Sequence, residues 1–92
     1  MKYQVRLTEL AELDVAKLRK SGDKQAIKKL NVLINELREH PETGTGKPER
    51  LKHKEGNKWS RRITDKHRLV YEIFEKIVTV DIVQAYGHYD DK

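Results

Sequence analysis

Hydrophobic positions near the start of the chain first alternate and then take a helical spacing. The segment YQVRL alternates apolar and polar residues, which predicts a short first strand. Ala11, Val15 and Leu18 then recur three or four residues apart, a spacing that places them on one face of a helix. Thr8 can cap this helix, because its side-chain oxygen can accept a bond from a backbone N–H of the first turn.

A second and stronger helical repeat follows the break SGD at residues 21–23. Asp23 can cap this helix, and Pro41 stops it because proline disfavours the helical conformation in the residue before it. Its apolar face is formed by Ala26, Ile27, Leu30, Leu33, Ile34 and Leu37. A face of this width needs a partner surface to cover it.

Beyond the Gly- and Pro-rich loop PETGTGKPE, the period changes from helical to two-fold. Four strands are predicted over RLKHK, KWSRRI, HRLVYEIF and KIVTVDIV, and their short connections indicate an antiparallel meander. The whole is an α+β fold: a small antiparallel sheet of about five strands with two helices on one face, in the order β-α-α-β-β-β-β. Because 92 residues support one core, residues 1–92 are expected to form a single domain.

Alternation within the last strands separates a core face from an open face. The apolar residues that share the predicted core face are Leu69, Tyr71, Ile73, Val78, Val80 and Ile82. If the helices cover that face, Arg68 points to the open side, and Arg62 can join it from the neighbouring strand. The side taken by Trp59 stays open at this point, since Trp59, Arg61 and Ile63 share a parity.

The positive charge of the protein is concentrated in one central block. The formal net charge is +5, and residues 47–68 carry nine Lys or Arg against three Asp or Glu. A single-sign block raises the local concentration of polyanions, which makes nucleic acid the leading candidate partner. A solvated, Lys-rich surface that keeps the protein soluble explains the charge equally well.

Several function classes find no support in the sequence. There is no cysteine, and the four histidines show no close metal-ligand spacing, so no metal or other cofactor is expected. The loop TGTGKPE resembles a phosphate-binding loop only superficially. The longest apolar-rich run, IVTVDIV, is far shorter than the roughly 20 residues of a membrane helix, and the N-terminus has no apolar leader. A cytoplasmic protein without membrane contact is expected.

Five polar residues could form a site for RNA cleavage if the sheet brings them together. They are Glu49, Arg62, Arg68, His88 and Tyr89. Attack by the RNA's own 2′-hydroxyl needs a group that takes its proton, a group that protonates the departing 5′-oxygen, and positive charge for the phosphorane. Arginine suits the last task, because its planar, permanently charged fork matches phosphate oxygens.

Each of these residues also has a simpler interpretation. His88 could be solvent-exposed and idle, and Glu49 could be only a solvated loop residue. The two arginines could pair across strands with carboxylates. Those carboxylates are Asp65, Glu72 and Asp81. The residue types alone do not choose between these interpretations.

Three blocks of the chain resemble the YoeB/Txe family of bacterial toxins, within the RelE superfamily. The blocks are GTGKPERLKH, KWSRRITDKHRLVYEI and the terminal GHY, and they follow the order and spacing of that family over residues 23–89. The resemblance implies a metal-independent, ribosome-dependent mRNA endoribonuclease that cuts in the A site by 2′-hydroxyl attack and so inhibits translation. It also implies three partners, namely a cognate antitoxin, the 30S A site of the ribosome and mRNA, and it leaves a homodimer open.

The resemblance assigns a role to each candidate residue. Glu49 matches the general base, His88 the general acid, and Arg68 the arginine that stabilises the phosphate. Arg62 matches a second basic residue of the site, and Tyr89 a tyrosine that shapes it. The residues expected to bind RNA are Lys47, Lys52, His53, Lys54 and Arg61.

Two other functions stay open at the level of sequence. One is a non-enzymatic toxin of the same superfamily that binds a protein target, as ParE-like relatives bind gyrase. The other is a domain that binds RNA without cutting it. The joint presence of Glu49, Arg68 and His88 argues against the first, because a protein that only binds gyrase does not need all three.

Overall fold

Two helices and five strands make up the fold. The computed structural model describes residues 2–52, 55–77 and 79–86, with the backbone alone at 83 and 84. The elements follow the predicted order. In chain order they are β1 (Gln4–Leu7), α1 (Glu9–Lys20), α2 (Lys24–Glu39), β2 (Glu49–Arg50), β3 (Lys58–Arg62), β4 (Arg68–Phe74) and β5 (Thr79–Gln84).

Both helices begin at the residues that the sequence indicates. The side chain of Thr8 accepts a hydrogen bond from the backbone N–H of Ala11 at 3.2 Å. Asp23 does the same for Ala26 at 3.0 Å. Each contact satisfies an N–H that has no partner within the helix. The helix α2 ends just before Pro41, so the predicted caps and the predicted stop are confirmed.

The strands form one sheet in the order β1-β5-β4-β3-β2. The predicted antiparallel meander from β2 to β5 is confirmed. The first strand differs, because β1 pairs with β5 in parallel, with Gln4 opposite Thr79 and Leu7 opposite Ile82. The sheet is therefore mixed. Short turns dictate the direction of β2 to β5 only, whereas β1 reaches its neighbour through a long connection that permits a parallel pair.

The two helices cover one face of the sheet and form the core with it. The sheet contributes Ile63, Leu69, Tyr71, Ile73, Val80 and Ile82, and the helices contribute Ala11, Val15, Leu18, Ala26, Leu30, Leu33 and Leu37. The predicted core face is confirmed apart from Val78, which lies outside the described residues. Each fully buried aliphatic side chain stabilises the fold by about 1.5–3 kcal/mol. This packing fixes the positions of the strands, and with them the side chains on the opposite face of the sheet.

The strand β3 directs its odd-numbered residues toward the helices. Trp59 packs partly buried against the core, Arg61 is completely buried, and Ile63, directly after the strand, is buried as well. Because strand side chains alternate, Ser60 and Arg62 lie on the opposite face. The sequence leaves open which side of the sheet Trp59 takes. It takes the core side, and Arg61 lies on the same side, inside the core.

Candidate active site

Glu49, Arg62 and Arg68 lie on one face of the sheet, away from the helices. Glu49 of β2 is opposite Ser60 of β3, and Arg62 of β3 is directly opposite Arg68 of β4. Partners across an antiparallel pair share a face, and so do residues two apart along a strand. The three residues, called the candidate cluster below, thus span three neighbouring strands, a width of about 10 Å.

The two arginines of the candidate cluster form no ion pair with any described carboxylate. Arg62 is exposed, and Arg68 is half-buried with its Nη1 3.5 Å from Ser60 Oγ. Asp81, one of the carboxylates that could neutralise them, is instead bound by Arg6 at 2.7 and 3.1 Å. Within the described part of the chain, the guanidinium groups stay available for an anion.

The segment that leads into β2 is fixed against β3 beside Arg62. The backbone N–H of Arg62 donates to the carbonyl of Gly46 at 2.7 Å. Gly46 has a φ of 86°, and a Cβ at this position would lie 3.0 Å from the Arg62 carbonyl oxygen, so glycine fits best here. The next residue, Lys47, also has a positive φ of 53°, which is unfavourable for a residue with a side chain. The two residues together turn the chain toward Glu49.

Arg61 does not have the position expected of an RNA-binding residue. Its side chain has no exposed surface, and its Nη1 lies 2.7 Å from Glu36 Oε1 of α2. The prediction that Arg61 contacts RNA directly is therefore corrected: it has no surface through which to do so. Its parity with Trp59 and Ile63 is the sequence signal for this burial, because both neighbours are apolar.

The last described residues bring the chain to the end of the sheet that carries the arginine pair. The strand β5 ends at Gln84, opposite Val70 of β4. The ring of Tyr86 then packs on His67, with 4.4 Å between ring centroids. His67 directly precedes Arg68, so the chain leaves the sheet next to the candidate cluster.

Asp14 of α1 fixes this exit point, and sequence reasoning missed it. The carboxylate is only 5% exposed, and its Oδ2 accepts a hydrogen bond from the backbone N–H of Ala85 at 3.1 Å. Lys17, one turn further along α1, lies 5.7 Å from the ring of Tyr86. The sequence signal for this contact is an acidic residue that lies between the apolar positions Ala11 and Val15. A carboxylate that is buried with these neighbours needs a hydrogen-bond donor, which here is the N–H of Ala85.

The remaining predicted residues fall into two groups. Lys47 and Lys52 are described and exposed, on the segments that flank β2. The predicted residues that lie outside the described part of the chain are His53, Lys54, His88 and Tyr89. The described part of the site therefore holds a carboxylate and two cations. These can accept a proton and bind a phosphate.

Two features are absent from residues 2–52, 55–77 and 79–86. Among them no group of three or more His, Cys, Asp or Glu side chains is arranged to hold a metal ion. Neither described helix is long and apolar enough to cross a membrane.

Comparison with known families identifies the chain. The sequence model for the YoeB-like toxin of bacterial type II toxin–antitoxin systems matches residues 11–89. The protein belongs to this family. The resemblance found in the three sequence blocks is thus confirmed, and the match also takes in most of α1.

Individual relatives agree with this assignment. Toxin YoeB of Escherichia coli K12 is 55% identical over 51 residues, which cover 55% of this chain and 61% of that protein, so less than two thirds of the relative is matched. The YoeB/ParE toxin from Agrobacterium tumefaciens has a TM-score of 0.82 at 32% identity, over 94% of this chain and 99% of that one.

Two solved structures from Staphylococcus aureus are also similar. A YoeB dimer has a TM-score of 0.78 at 32% identity, and YoeB in a heterotetrameric YoeB–YefM toxin–antitoxin complex has 0.75 at 31%. Each covers 97% of this chain and 100% of its own. The likeness to these YoeB structures extends over nearly the whole fold.

Proposed function

We propose that this protein is a ribosome-dependent mRNA endoribonuclease, the toxin of a type II toxin–antitoxin pair, which cuts mRNA in the ribosomal A site. One observation carries the proposal beyond family membership. Glu49, Arg62 and Arg68 share a face of the sheet, and no described carboxylate neutralises the two arginines. Two uncompensated guanidinium groups beside a carboxylate are suited to a phosphodiester whose neighbouring hydroxyl must lose a proton.

In this proposal the reaction is an attack of the ribose 2′-oxygen on the adjacent phosphorus. Glu49 takes the 2′-hydroxyl proton as the 2′-oxygen attacks. Arg68 and Arg62 bind the phosphate oxygens and stabilise the charge that develops on the phosphorane. His88 supplies the proton that the departing 5′-oxygen needs, and Tyr89 shapes its surroundings. The products are a 2′,3′-cyclic phosphate and a 5′-hydroxyl, so no water is consumed in this step.

In this proposal the ribosome presents the mRNA and offers a large anionic surface for docking. Lys47 and Lys52 are exposed on either side of β2, next to the candidate cluster. We assign them, together with His53 and Lys54, to contacts with RNA phosphates, and we withdraw Arg61 from this group because it is buried. Contacts of this kind weaken steeply as salt concentration rises.

A cognate antitoxin is the second proposed partner. The Staphylococcus aureus relative is seen with YefM in a toxin–antitoxin complex. In this chain residues 47–68 carry an excess of positive charge. An acidic, partly disordered segment could wrap that block and fold on contact, and would thereby compete with RNA for the same surface.

Primer extension on mRNA tests the proposal. Messenger RNA from cells that express the protein is compared with RNA incubated with purified protein, with and without assembled ribosomes. Cleavage is expected only where ribosomes are present. Glu49→Ala and His88→Ala should abolish cleavage, while their circular dichroism spectra stay those of the folded protein. Glu39 is an exposed carboxylate on α2, and the control variant Glu39→Ala should cleave at the wild-type rate.

The same experiment separates the proposal from its alternatives. Wild-type cleavage by both the Glu49 and the His88 variants would overturn the assigned roles. Growth arrest with intact mRNA and altered DNA supercoiling would instead favour a toxin that binds gyrase. Retention of RNA without cutting would favour a plain RNA-binding domain.

A further inference from the structure

Arg61 is completely buried, and each of its N–H groups has an acceptor within reach. Its Nε donates to the hydroxyl of Tyr71 at 3.0 Å, and its Nη1 donates to Glu36 Oε1 at 2.7 Å and to the Thr45 carbonyl at 3.3 Å. Its Nη2 donates to the carbonyls of His40 at 2.8 Å and Thr43 at 2.6 Å. A guanidinium group has five N–H donors, and here five bonds are made.

The acceptors are concentrated in one loop, residues 40–45, between α2 and β2. Arg61 binds three backbone carbonyls of this loop directly. A fourth, that of Pro41, accepts a hydrogen bond at 2.6 Å from the Tyr71 hydroxyl, which itself accepts from Arg61. The loop is therefore bound to the core through a charged side chain and has no helix or strand of its own.

Glu36 balances the charge of Arg61 and holds the far end of the loop. Its Oε1 also accepts from the backbone N–H of Thr45 at 2.8 Å, and its Oε2 accepts from the Thr45 hydroxyl at 2.6 Å. Burial alone would raise the pKa of Glu36, but the hydrogen bonds from Thr45 and Arg61 outweigh it and lower the pKa below its ordinary value. The carboxylate is thus charged at neutral pH, as the buried guanidinium requires.

The loop leads directly to Glu49. Gly46 is bound to the N–H of Arg62, and Glu49 follows three residues later. The strand β2 that carries Glu49 is only two residues long and lies at the edge of the sheet, so it has few ladder hydrogen bonds of its own. Two bonds to β3 bracket Glu49: the N–H of Leu51 donates to the Lys58 carbonyl at 2.8 Å, and the N–H of Arg62 donates to the Gly46 carbonyl at 2.7 Å. Because Gly46 directly follows loop 40–45, the conformation of the loop helps to set the position of Glu49 relative to the arginine pair.

We propose that Arg61 is a positioning residue for Glu49, acting through the buried network of Arg61, Glu36 and Tyr71 that fixes loop 40–45. The inference rests on the proposed ribonuclease function and deepens it. Arg61 touches no RNA. It keeps the loop in one conformation, and the loop keeps the carboxylate of Glu49 over the scissile ribose. A misplacement of about 1 Å at a catalytic group can cost roughly 100-fold in rate.

Single-turnover cleavage of ribosome-bound mRNA by purified variants tests this inference. Arg61→Met replaces the charged side chain with an apolar one of similar length, and Tyr71→Phe removes one hydroxyl while the ring stays packed. The maximal rate is expected to fall about 10- to 100-fold for Arg61→Met and less for Tyr71→Phe. The half-saturating ribosome concentration should change little, because Lys47, Lys52 and the arginine pair are retained.

A matched control separates positioning from loss of stability. Val15→Ala removes two methyl groups from the core of α1, away from loop 40–45, and lowers the melting temperature without touching the network. Its maximal rate should equal that of the wild type when all proteins are assayed well below their melting temperatures. If Val15→Ala loses as much activity as Arg61→Met, or if Arg61→Met keeps the wild-type rate, the inference is overturned.

A double variant tests the route through Glu49. If Arg61 acts by placing that carboxylate, then Arg61→Met should cause no further loss of rate in a Glu49→Gln background, where the side chain keeps its size and the slow residual cleavage is followed in a long incubation. If Arg61→Met slows the Glu49 variant by the same factor as it slows the wild type, Arg61 does not act through Glu49. Failure of the proposed function looks different, because then the wild type itself would leave ribosome-bound mRNA intact.

Discussion

Arg62 on β3 and Arg68 on β4 lie directly opposite each other, on the face of the sheet that the helices leave uncovered. Like charges in direct cross-strand positions destabilise the pairing of the two strands. The described carboxylates do not relieve the repulsion, since they form ion pairs elsewhere or none. Under the proposed function a bound phosphate would relieve this repulsion, so the free protein is expected to be less stable than the RNA-bound protein.

Neutralising one of these arginines is expected to stabilise the protein while it lowers activity. Arg62→Gln should raise the free energy of unfolding by up to about 1 kcal/mol, because the repulsion with Arg68 disappears. Lys58→Gln is a matched control on the same strand, since Lys58 lies opposite Glu72 and its loss relieves no repulsion between like charges. Urea unfolding of both variants measures the difference, and primer extension measures the activity. A destabilised Arg62→Gln would mean that the stem of this arginine contributes packing that outweighs the repulsion.

RNA binding should report which arginines reach the phosphates. For single strands, log K falls with log salt by about 0.7 for each phosphate that is neutralised. Arg68→Gln should therefore reduce the salt slope for single-stranded RNA by about that amount. Arg38→Gln provides the comparison, because Arg38 is exposed on α2 and bonds Asn35 at 2.8 Å, away from the candidate cluster. Equal slopes for the wild type and Arg68→Gln would remove Arg68 from the set of phosphate contacts.

The periodic parts of the fold could be predicted from the sequence because they depend on local physics. Thr8 and Asp23 cap helices through their own neighbouring backbone, and the alternation around Leu69 follows from strand geometry alone. The parallel pairing of β1 with β5 could not be predicted in this way. It joins the two ends of the chain, and no turn between them dictates a direction.

The adjacent arginines 61 and 62 show where sequence reasoning about the site ends. Both are basic, and both lie in the same positively charged block. Arg62 lies on the open face as predicted, whereas Arg61 is enclosed by carbonyls of a loop some 20 residues earlier. Its burial is tolerable only because the loop conformation supplies those acceptors, and a conformation of that kind has no periodic signature in the sequence.

Glu36 is expected to make the free energy of unfolding decrease as the pH falls into the acid range. Its pKa is lower in the folded state than its ordinary value near 4.5, because Thr45 and Arg61 bind its charged form. The stability that this carboxylate contributes is therefore complete above about pH 4.5 and is lost as pH falls through the folded-state pKa. Glu36→Gln should flatten this limb of the pH–stability curve and lower stability at pH 7. The measurement is the urea midpoint at several pH values between about 3 and 7, with Glu39→Gln, an exposed neighbour on α2, as the reference.

Asp14 is expected to fix the chain at Ala85, just beyond the end of β5. Asp14→Ala leaves the buried N–H of Ala85 without its acceptor, which should cost roughly 1–3 kcal/mol. Asp14→Asn keeps a side-chain oxygen at the same place and should recover much of the loss. Leu13→Ala, exposed on the same helix, should change stability by no more than about 0.5 kcal/mol. Because His88 follows Ala85 by three residues, we expect Asp14→Ala to slow mRNA cleavage even at temperatures where the protein is fully folded. Full cleavage by folded Asp14→Ala would mean that the bond to Ala85 serves stability alone.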